Sequence, residues 1–260
     1  MSKEGYLLSS VKNAMKILRL FSIEEPELGV TEIASKIGLS KSSTHRLILI
    51  LLQEGYIVKN KDNSRYRLGL SLMTLSGVII NHKEIHRESL PILQDLVKQL
   101  GETVHINVLE GSDVVYLHKV ECNHPVPLLS GIGERNPAYC SSAGKVILAY
   151  QKKELINKVL QSKLSSYGPD TITNPQKLRE NLLEIKSKGY SISIDELHEG
   201  VVSIAVPIRD YTEEVIAAIS VVGPKHRMSE HLFGDYVQTL NRAGERLSIK
   251  LGCIETIKTR

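Results

Sequence analysis

The stretch Thr31-Glu32-Ile33-Ala34-Ser35-Lys36-Ile37-Gly38-Leu39-Ser40-Lys41-Ser42-Ser43-Thr44-His45-Arg46-Leu47 sets two helical patterns around a glycine. Thr31 is placed to cap a short helix running to Ile37, with Ile33, Ala34 and Ile37 on its buried side. Gly38 supplies a sharp turn. Ser40 caps the next helix, which continues to Glu54 and stops at Gly55. Small Ala34 lets the two helices approach, and Leu47 anchors the second of them, as a helix-turn-helix requires. Upstream, Val11, Ala14, Met15, Leu18 and Phe21 follow Ser9-Ser10 at helical spacing, and Glu24-Glu25-Pro26 ends that pattern. Downstream, Tyr56–Val58 and Arg65–Leu68 read as two strands around the polar turn Asn60–Ser64. The order helix, helix, turn, helix, hairpin is that of a winged helix-turn-helix.

Charge supports a polyanion partner for this module. Residues 1–69 hold 11 Lys/Arg against 7 Asp/Glu, whereas residues 70–260 hold 22 of each, so the whole excess of +4 sits in the first quarter. The start of the third helix offers Ser40, Lys41, Ser42, Ser43, Thr44, His45 and Arg46 to a DNA major groove. Arg46 suits guanine O6/N7 or a phosphate, and the hydroxyls and His45 suit base edges or backbone. Lys59, Lys61 and Arg65 on the wing are placed for flanking phosphates.

The 260 residues, 42% hydrophobic and 24% charged, exclude a disordered chain and accommodate one large domain or two modest ones. Leu68–Ile80 is too short and too polar to span a bilayer, so no membrane partner is expected. Met1–Gly5 lacks an apolar signal core. Cys122, Cys140 and Cys253 form no close pair. The expectation is a reduced, cytoplasmic protein with no cofactor.

Residues 69–82 form a helix-length linker whose Leu70, Leu72, Met73, Leu75, Val78, Ile79 and Ile80 are apolar on more than one face. That surface fits either a dimer contact or burial against the first helix. Beyond it, 85–100 is an amphipathic helix. Residues 103–110 and 114–121 alternate as a hairpin, with Val104, Ile106 and Val108 on one face and His105, Asn107 and Leu109 on the other. Helices at 143–151, 153–160 and 175–188, strands at 191–194, 203–208 and 215–222, and a long helix from Ser229 towards Ile249 complete an α+β pattern.

The motifs already quoted, with Arg65-Tyr66-Arg67-Leu68-Gly69, resemble the N-terminal domain of IclR-type transcriptional regulators. Tyr116–Val120, Arg135-Asn136-Pro137, Ser142-Ala143-Gly144-Lys145, Ser203–Ile208 and Ala218–Pro224 resemble the family's later motifs in the family's order. The resemblance implies a DNA-binding domain over 1–68, with Thr31 in its contact region, a linker helix over 69–82, and a GAF-like effector-binding domain over 83–260. That second domain is expected as a mixed sheet with flanking helices. It also implies dimerisation through the first domain and further assembly, to a homotetramer, through the second.

Ser141, Ser142 and Ala143 open a helix with small residues whose first N–H groups suit a carboxylate. The resemblance places a small organic acid there and carries Asp195, Glu196, Val201, Ser203, Ser220 and Val222 across as the opposite wall. Ser203 stands where the family often has cysteine, and Val222 where a second serine can occur, which leaves the ligand's identity open.

An enzyme is not expected. Ser142-x-x-Lys145 fits the spacing of serine acyl-transferases, but the partner motifs Ser-Asp-Asn and Lys-Thr-Gly are missing. The alternative is a metal-sensing regulator using Cys122, His124, Cys140, His105, His118 and His198. The reading adopted is a ligand-responsive repressor of a catabolic operon, acting as a homodimer or homotetramer on a pseudo-palindromic operator.

Overall fold

A computed structural model describes residues 9–22, 24–82, 84–124 and 131–253; within a helix, the side chains of Gly77–His82, including Val78, Ile79 and Ile80, lie outside the described residues. The chain divides into two compact units, Met1–His82 and Lys83–Arg260.

The first unit contains α1 (Ser9–Leu18), α2 (Val30–Ile37), α3 (Lys41–Gln53), β1 (Ile57–Lys59), β2 (Tyr66–Leu68) and α4 (Ser71–His82). Ser40 Oγ accepts the Ser43 N–H at 3.2 Å, so α3 starts where its cap predicts. Gly38 holds φ +70°, which permits the tight turn between α2 and α3. The cap of α2 differs from the expectation. Gly29 is the N-cap, and its N–H donates to Glu32 Oε2 at 2.8 Å, while Thr31 is exposed inside the first turn. Ile17, Ile33, Ile48, Leu51, Ile57 and Tyr66 form the core. Leu47 packs at its margin, and Val11 and Met15, expected inside, are about half exposed (52% and 49%) because Ile17 takes the inner position of α1. β1 and β2 pair antiparallel, and Leu28 bridges Tyr66 on the other edge.

The second unit contains α5 (Glu84–Leu100), β3 (Thr103–Glu110), β4 (Asp113–Val120), β5 (Arg135–Pro137), α6 (Ser142–Ala149), α7 (Lys153–Leu160), α8 (Pro175–Lys188), β6 (Ser191–Ile194), β7 (Val201–Arg209), β8 (Val215–Pro224) and α9 (Phe233–Lys250). Its sheet has the order β5-β4-β3-β8-β7-β6. All five ladders are antiparallel, so the sheet anticipated as mixed keeps one pairing sense throughout. Period-2 alternation divides two cores between its faces. Val104, Ile106, Val202, Ile204, Ile219 and Val221 pack with α5 and α9. Ala205 and Ala218 pack with α6, α7 and α8 on the other face. Two alanines beneath α6 bring that helix close to the sheet. Gly144 lets the helix pack against the turn that precedes it, since a Cβ there would overlap the Ala138 backbone.

Candidate functional site

On the surface of the first unit, the outer side of α3 presents Lys41, Ser42, His45 and Arg46, all exposed. Ser43 is exposed too, and its hydroxyl lies 2.9 Å from Ser40 Oγ, while Ser42 Oγ lies 3.1 Å from that same atom. Two expected groups are placed elsewhere. Thr44 is fully buried with Ile48 and Leu51 on the core side of α3, so it cannot reach a groove. The Arg65 guanidinium is engaged within the unit: it donates to Glu32 Oε2 at 2.7 Å and to the Glu27 carbonyl at 2.9 Å, tying the wing to α2. Lys59 and Lys61 are exposed on the wing, as is Arg67, which the motif reading did not assign to DNA. The helix face and the wing thus offer a cationic surface.

In the second unit, a cavity lies between the α6 face of the sheet and the start of α6. Ser141, Ser142, Ala143, Glu196, Val201, Ser203, Ser220 and Val222 line it; of the expected set, Asp195 does not. Asp195 sits at φ +55° in the turn after β6. One carboxylate oxygen accepts the Gly200 N–H at 2.6 Å and the other pairs with Lys225 at 2.6 Å. That bond to Lys225 holds its carboxyl below the usual range. Asp195 therefore shapes the 195–200 loop, and Glu196 alone of the acidic pair faces the cavity.

Sequence reading missed four lining residues: Asn107 from β3, Tyr116 from β4, Ser193 from β6, and Leu197 from the loop after it. His105 from β3 and His198, weighed only as metal ligands, also line the cavity. The signal for the β3 pair was present in its alternation: two polar residues occupied the side opposite Val104 and Ile106 in a strand buried on both faces. Register explains their convergence. His105 stands opposite Ser220 on β8, and Asn107 stands opposite Tyr116 beyond a bulge in β4.

The electrostatics are concentrated in one pair. Lys145 is 1% exposed and bonds Glu196 Oε1 at 2.5 Å. Burial raises the Glu196 carboxyl above its ordinary value, against the opposing pull of Lys145. Burial, aided by Lys119, pushes His105 down to about 3, so its ring is neutral, and burial pushes the Tyr116 phenol up to about 12. The two rings meet edge-on, 5.0 Å apart.

Hydrogen-bond supply is uneven. Ser141 Oγ accepts the Gly144 N–H at 3.1 Å and the Ser141 carbonyl accepts the Lys145 N–H, leaving the Ser142 and Ala143 N–H groups unused by the helix. Asn107 donates to Ser220 Oγ at 2.8 Å, but Asn107 Oδ1 is buried with no partner among the described residues, while the Glu196 carboxylate has the Ser193 hydroxyl as well as Lys145 beside it. The cavity thus has N–H donors at its helix end and one unpartnered buried acceptor, Asn107 Oδ1, among its lining residues.

The metal alternative lacks a ligand set: among the described residues no three His, Cys, Asp or Glu side chains come together. Cys140 Sγ donates to the Pro137 carbonyl, and His118 Nδ1 lies 3.0 Å from Ser89 Oγ. The Lys145 ammonium bonds Glu196, which removes the lysine on which the acyl-transferase spacing depended. No helix among the described residues is long and apolar enough to cross a membrane.

Comparison with known proteins agrees over nearly the whole chain. Residues 10–61 match the IclR helix-turn-helix domain, and residues 78–249 match the bacterial transcriptional regulator IclR C-terminal domain. The HTH-type transcriptional regulator XynR of Escherichia coli (strain K12) is 31% identical over 95% of this chain and 98% of its own. The crystal structure of the Thermotoga maritima IclR superposes with a TM-score of 0.77 at 30% identity, covering 94% of this chain and 99% of that one. An IclR homolog from Microbacterium hydrocarbonoxydans, crystallised with 4-hydroxybenzoate, superposes at 0.81 with 26% identity, covering 93% and 98%. These relatives are regulators of transcription, not enzymes, and this chain belongs to the same IclR family of DNA-binding transcriptional regulators.

Proposed function

We propose that the protein is a ligand-responsive repressor of a catabolic operon. In this reading residues 1–68 bind the operator, 69–82 link, and 83–260 hold the effector. The exposed face of α3, with Lys59, Lys61 and Arg67 on the wing, makes the DNA contact, and Thr31, Ser40 and Ser43 border it. Leu70, Met73 and Leu75 are 78%, 69% and 50% exposed, which favours a homodimer through the first unit. Two copies then place their α3 helices in successive major grooves of a pseudo-palindrome, about 34 Å apart. Repression is favoured by relatives that carry it in their names, among them the transcriptional repressor IclR of Escherichia coli.

The observation that carries the effector assignment is the complementarity inside the cavity. The first N–H groups of α6, at the positive end of its dipole, suit a carboxylate. Asn107 Oδ1 is a buried acceptor that lacks a donor, and such a group costs about 1–3 kcal/mol when left unpaired. A molecule with a carboxylate at one end and hydroxyl donors at the other satisfies both. The effector class is therefore a hydroxy acid. A second carboxylate would meet Glu196, so a dicarboxylate is disfavoured. The 4-hydroxybenzoate held by the Microbacterium homolog has this pairing of groups.

Fluorescence anisotropy on the upstream intergenic DNA, against an unrelated duplex at fixed salt, tests the DNA half. Binding should be tenfold or more tighter on the intergenic duplex. Screening hydroxy acids against their deoxy counterparts on the bound complex tests the other half. A hydroxy acid should shift operator affinity about 5–150-fold, the usual range of allosteric coupling, and its deoxy analogue should not. Equal responses to both would remove the acceptor argument. An unchanged response in Ser142→Leu would place the effector elsewhere.

A further inference from the structure

The outward side of α3 does not end at Arg46. Leu49 and Ile50 follow it on the same face and are 50% and 57% exposed, while Thr44, Ile48 and Leu51 take the core side. Helical spacing puts Leu49 one turn beyond His45 and Ile50 one turn beyond Arg46. Two large aliphatic side chains thus continue a row of cationic and donor-bearing ones. A partner complementary to both halves must be anionic at its edge and apolar on its floor. The DNA major groove has this character, with phosphates along its rims and thymine C5-methyl groups among its base edges.

We infer that Leu49 and Ile50 read thymine methyl groups, extending the base-reading surface one helical turn past the polar start of α3. The inference rests on α3 being the DNA-facing helix. A turn advances about 5.4 Å, between one and two base-pair steps of about 3.4 Å. With α3 lying along the groove, the operator carries A·T pairs one or two steps from the position Arg46 contacts.

The test starts from duplexes selected out of a random pool by the full-length protein. Deoxyuridine then replaces thymine one position at a time, which deletes only the methyl group. The wild type should lose about fourfold in affinity for each contacted methyl, the equivalent of one buried carbon. Leu49→Ala and Ile50→Ala should bind the thymine duplex about fourfold more weakly and become indifferent to uracil at the matching position. Arg46→Ala should weaken binding about tenfold and keep its sensitivity to uracil. Circular dichroism checks that the three variants are folded, and sedimentation gives their oligomeric state.

If uracil and both aliphatic variants are neutral while Arg46→Ala binds weakly, the methyl-reading inference falls and the α3 assignment stands. If Arg46→Ala is neutral as well, both fall. Loss of assembly in Leu49→Ala or Ile50→Ala, with no dependence on uracil, would give the pair to a second copy of the chain and overturn the inference. A pool that yields no preferred sequence overturns it too, since no base is then read.

Discussion

Helices α3 and α6 begin with the same device and put it to opposite use. Each has a serine N-cap, Ser40 or Ser141, accepting the N–H three residues on, from Ser43 or Gly144. At α3 the first turn is solvated: Lys41, Ser42 and Ser43 are exposed. At α6 every residue from Ser141 to Ala149 is buried, and a lysine has been taken inside. The difference lies in what covers each cap. Solvent over α3 leaves room for a macromolecule, whereas the sheet and the 195–200 loop over α6 leave room only for something small. Burial also makes every polar group at α6 more consequential, because water cannot replace a lost partner there.

The largest expected effect tests that consequence. Lys145→Met strands the Glu196 carboxylate in the interior and should destabilise the second unit by about 3–5 kcal/mol near pH 8. Adding Glu196→Gln should restore most of the loss. The Glu196 carboxyl already takes up its proton above the ordinary value, so the damage in Lys145→Met should shrink as pH falls and the charge disappears. Urea unfolding at two pH values, followed through amides of β3 and β8, measures it. A pH-independent loss would mean that packing, not charge, sets the cost.

Exchanging the third position of the two helices sharpens the comparison. Gly144→Ser puts a Cβ into the Ala138 backbone and should cost about 3 kcal/mol, at the upper end for overpacking. Ser43→Gly loses helix propensity in a solvated turn and should cost no more than about 1 kcal/mol. Thermal melts of both variants give the contrast directly. Comparable losses would show that α6 and the Ala138 turn can move apart.

The two sites were unequally legible in the sequence for the same reason. Caps and turns are local, so Ser40, Gly38 and Gly55 announced α3 and its neighbours within a few residues of chain. The α2 cap escaped because Gly29 works through its backbone and the Glu32 side chain, and Arg65 escaped because its partner Glu32 lies 33 residues away. At α6 the small residues were visible, but the charge pair was not, since Lys145 and Glu196 are 51 residues apart. Adjacent Asp195 and Glu196 look equivalent as letters. The left-handed backbone at Asp195 sends the two side chains to different partners, and no pattern in the sequence marks that. The α6 motif and the strand serines were placed by family resemblance, while the β3 pair needed the register of the sheet.

Acid should separate the units more gently. The unfolded chain protonates a histidine near 6.5, whereas folded His105 waits until about 3 and His118 until about 4, burial being the main cause in both. The unfolded state therefore binds more protons below 6.5, and stability falls as pH drops through that window. At pH 5.5 each histidine contributes a loss of about 1.4 kcal/mol, together nearly 3, all of it in the second unit. Denaturant midpoints between pH 7.5 and 5, read separately in the two units by amide exchange, check this. His118→Gln should flatten the slope for the second unit and leave the first unit unchanged.

The smallest effect is the most direct test of what the two caps have in common. Ser40→Ala removes an acceptor that water can replace at the Ser43 N–H, so the loss should be about 1 kcal/mol, the ordinary value of an exposed cap. Ser141→Ala makes the same change of atoms where the Gly144 N–H is buried. That donor is left without a partner, which raises the expected loss to about 2 kcal/mol. The prediction is a difference of about 1 kcal/mol between identical substitutions, read from urea unfolding of each unit. If a hydroxy acid occupies the cavity, its carboxylate can take up the freed Gly144 N–H, and saturating ligand should narrow the gap. An unbridged gap at saturation would mean that the bound carboxylate sits on the Ser142 and Ala143 N–H groups alone.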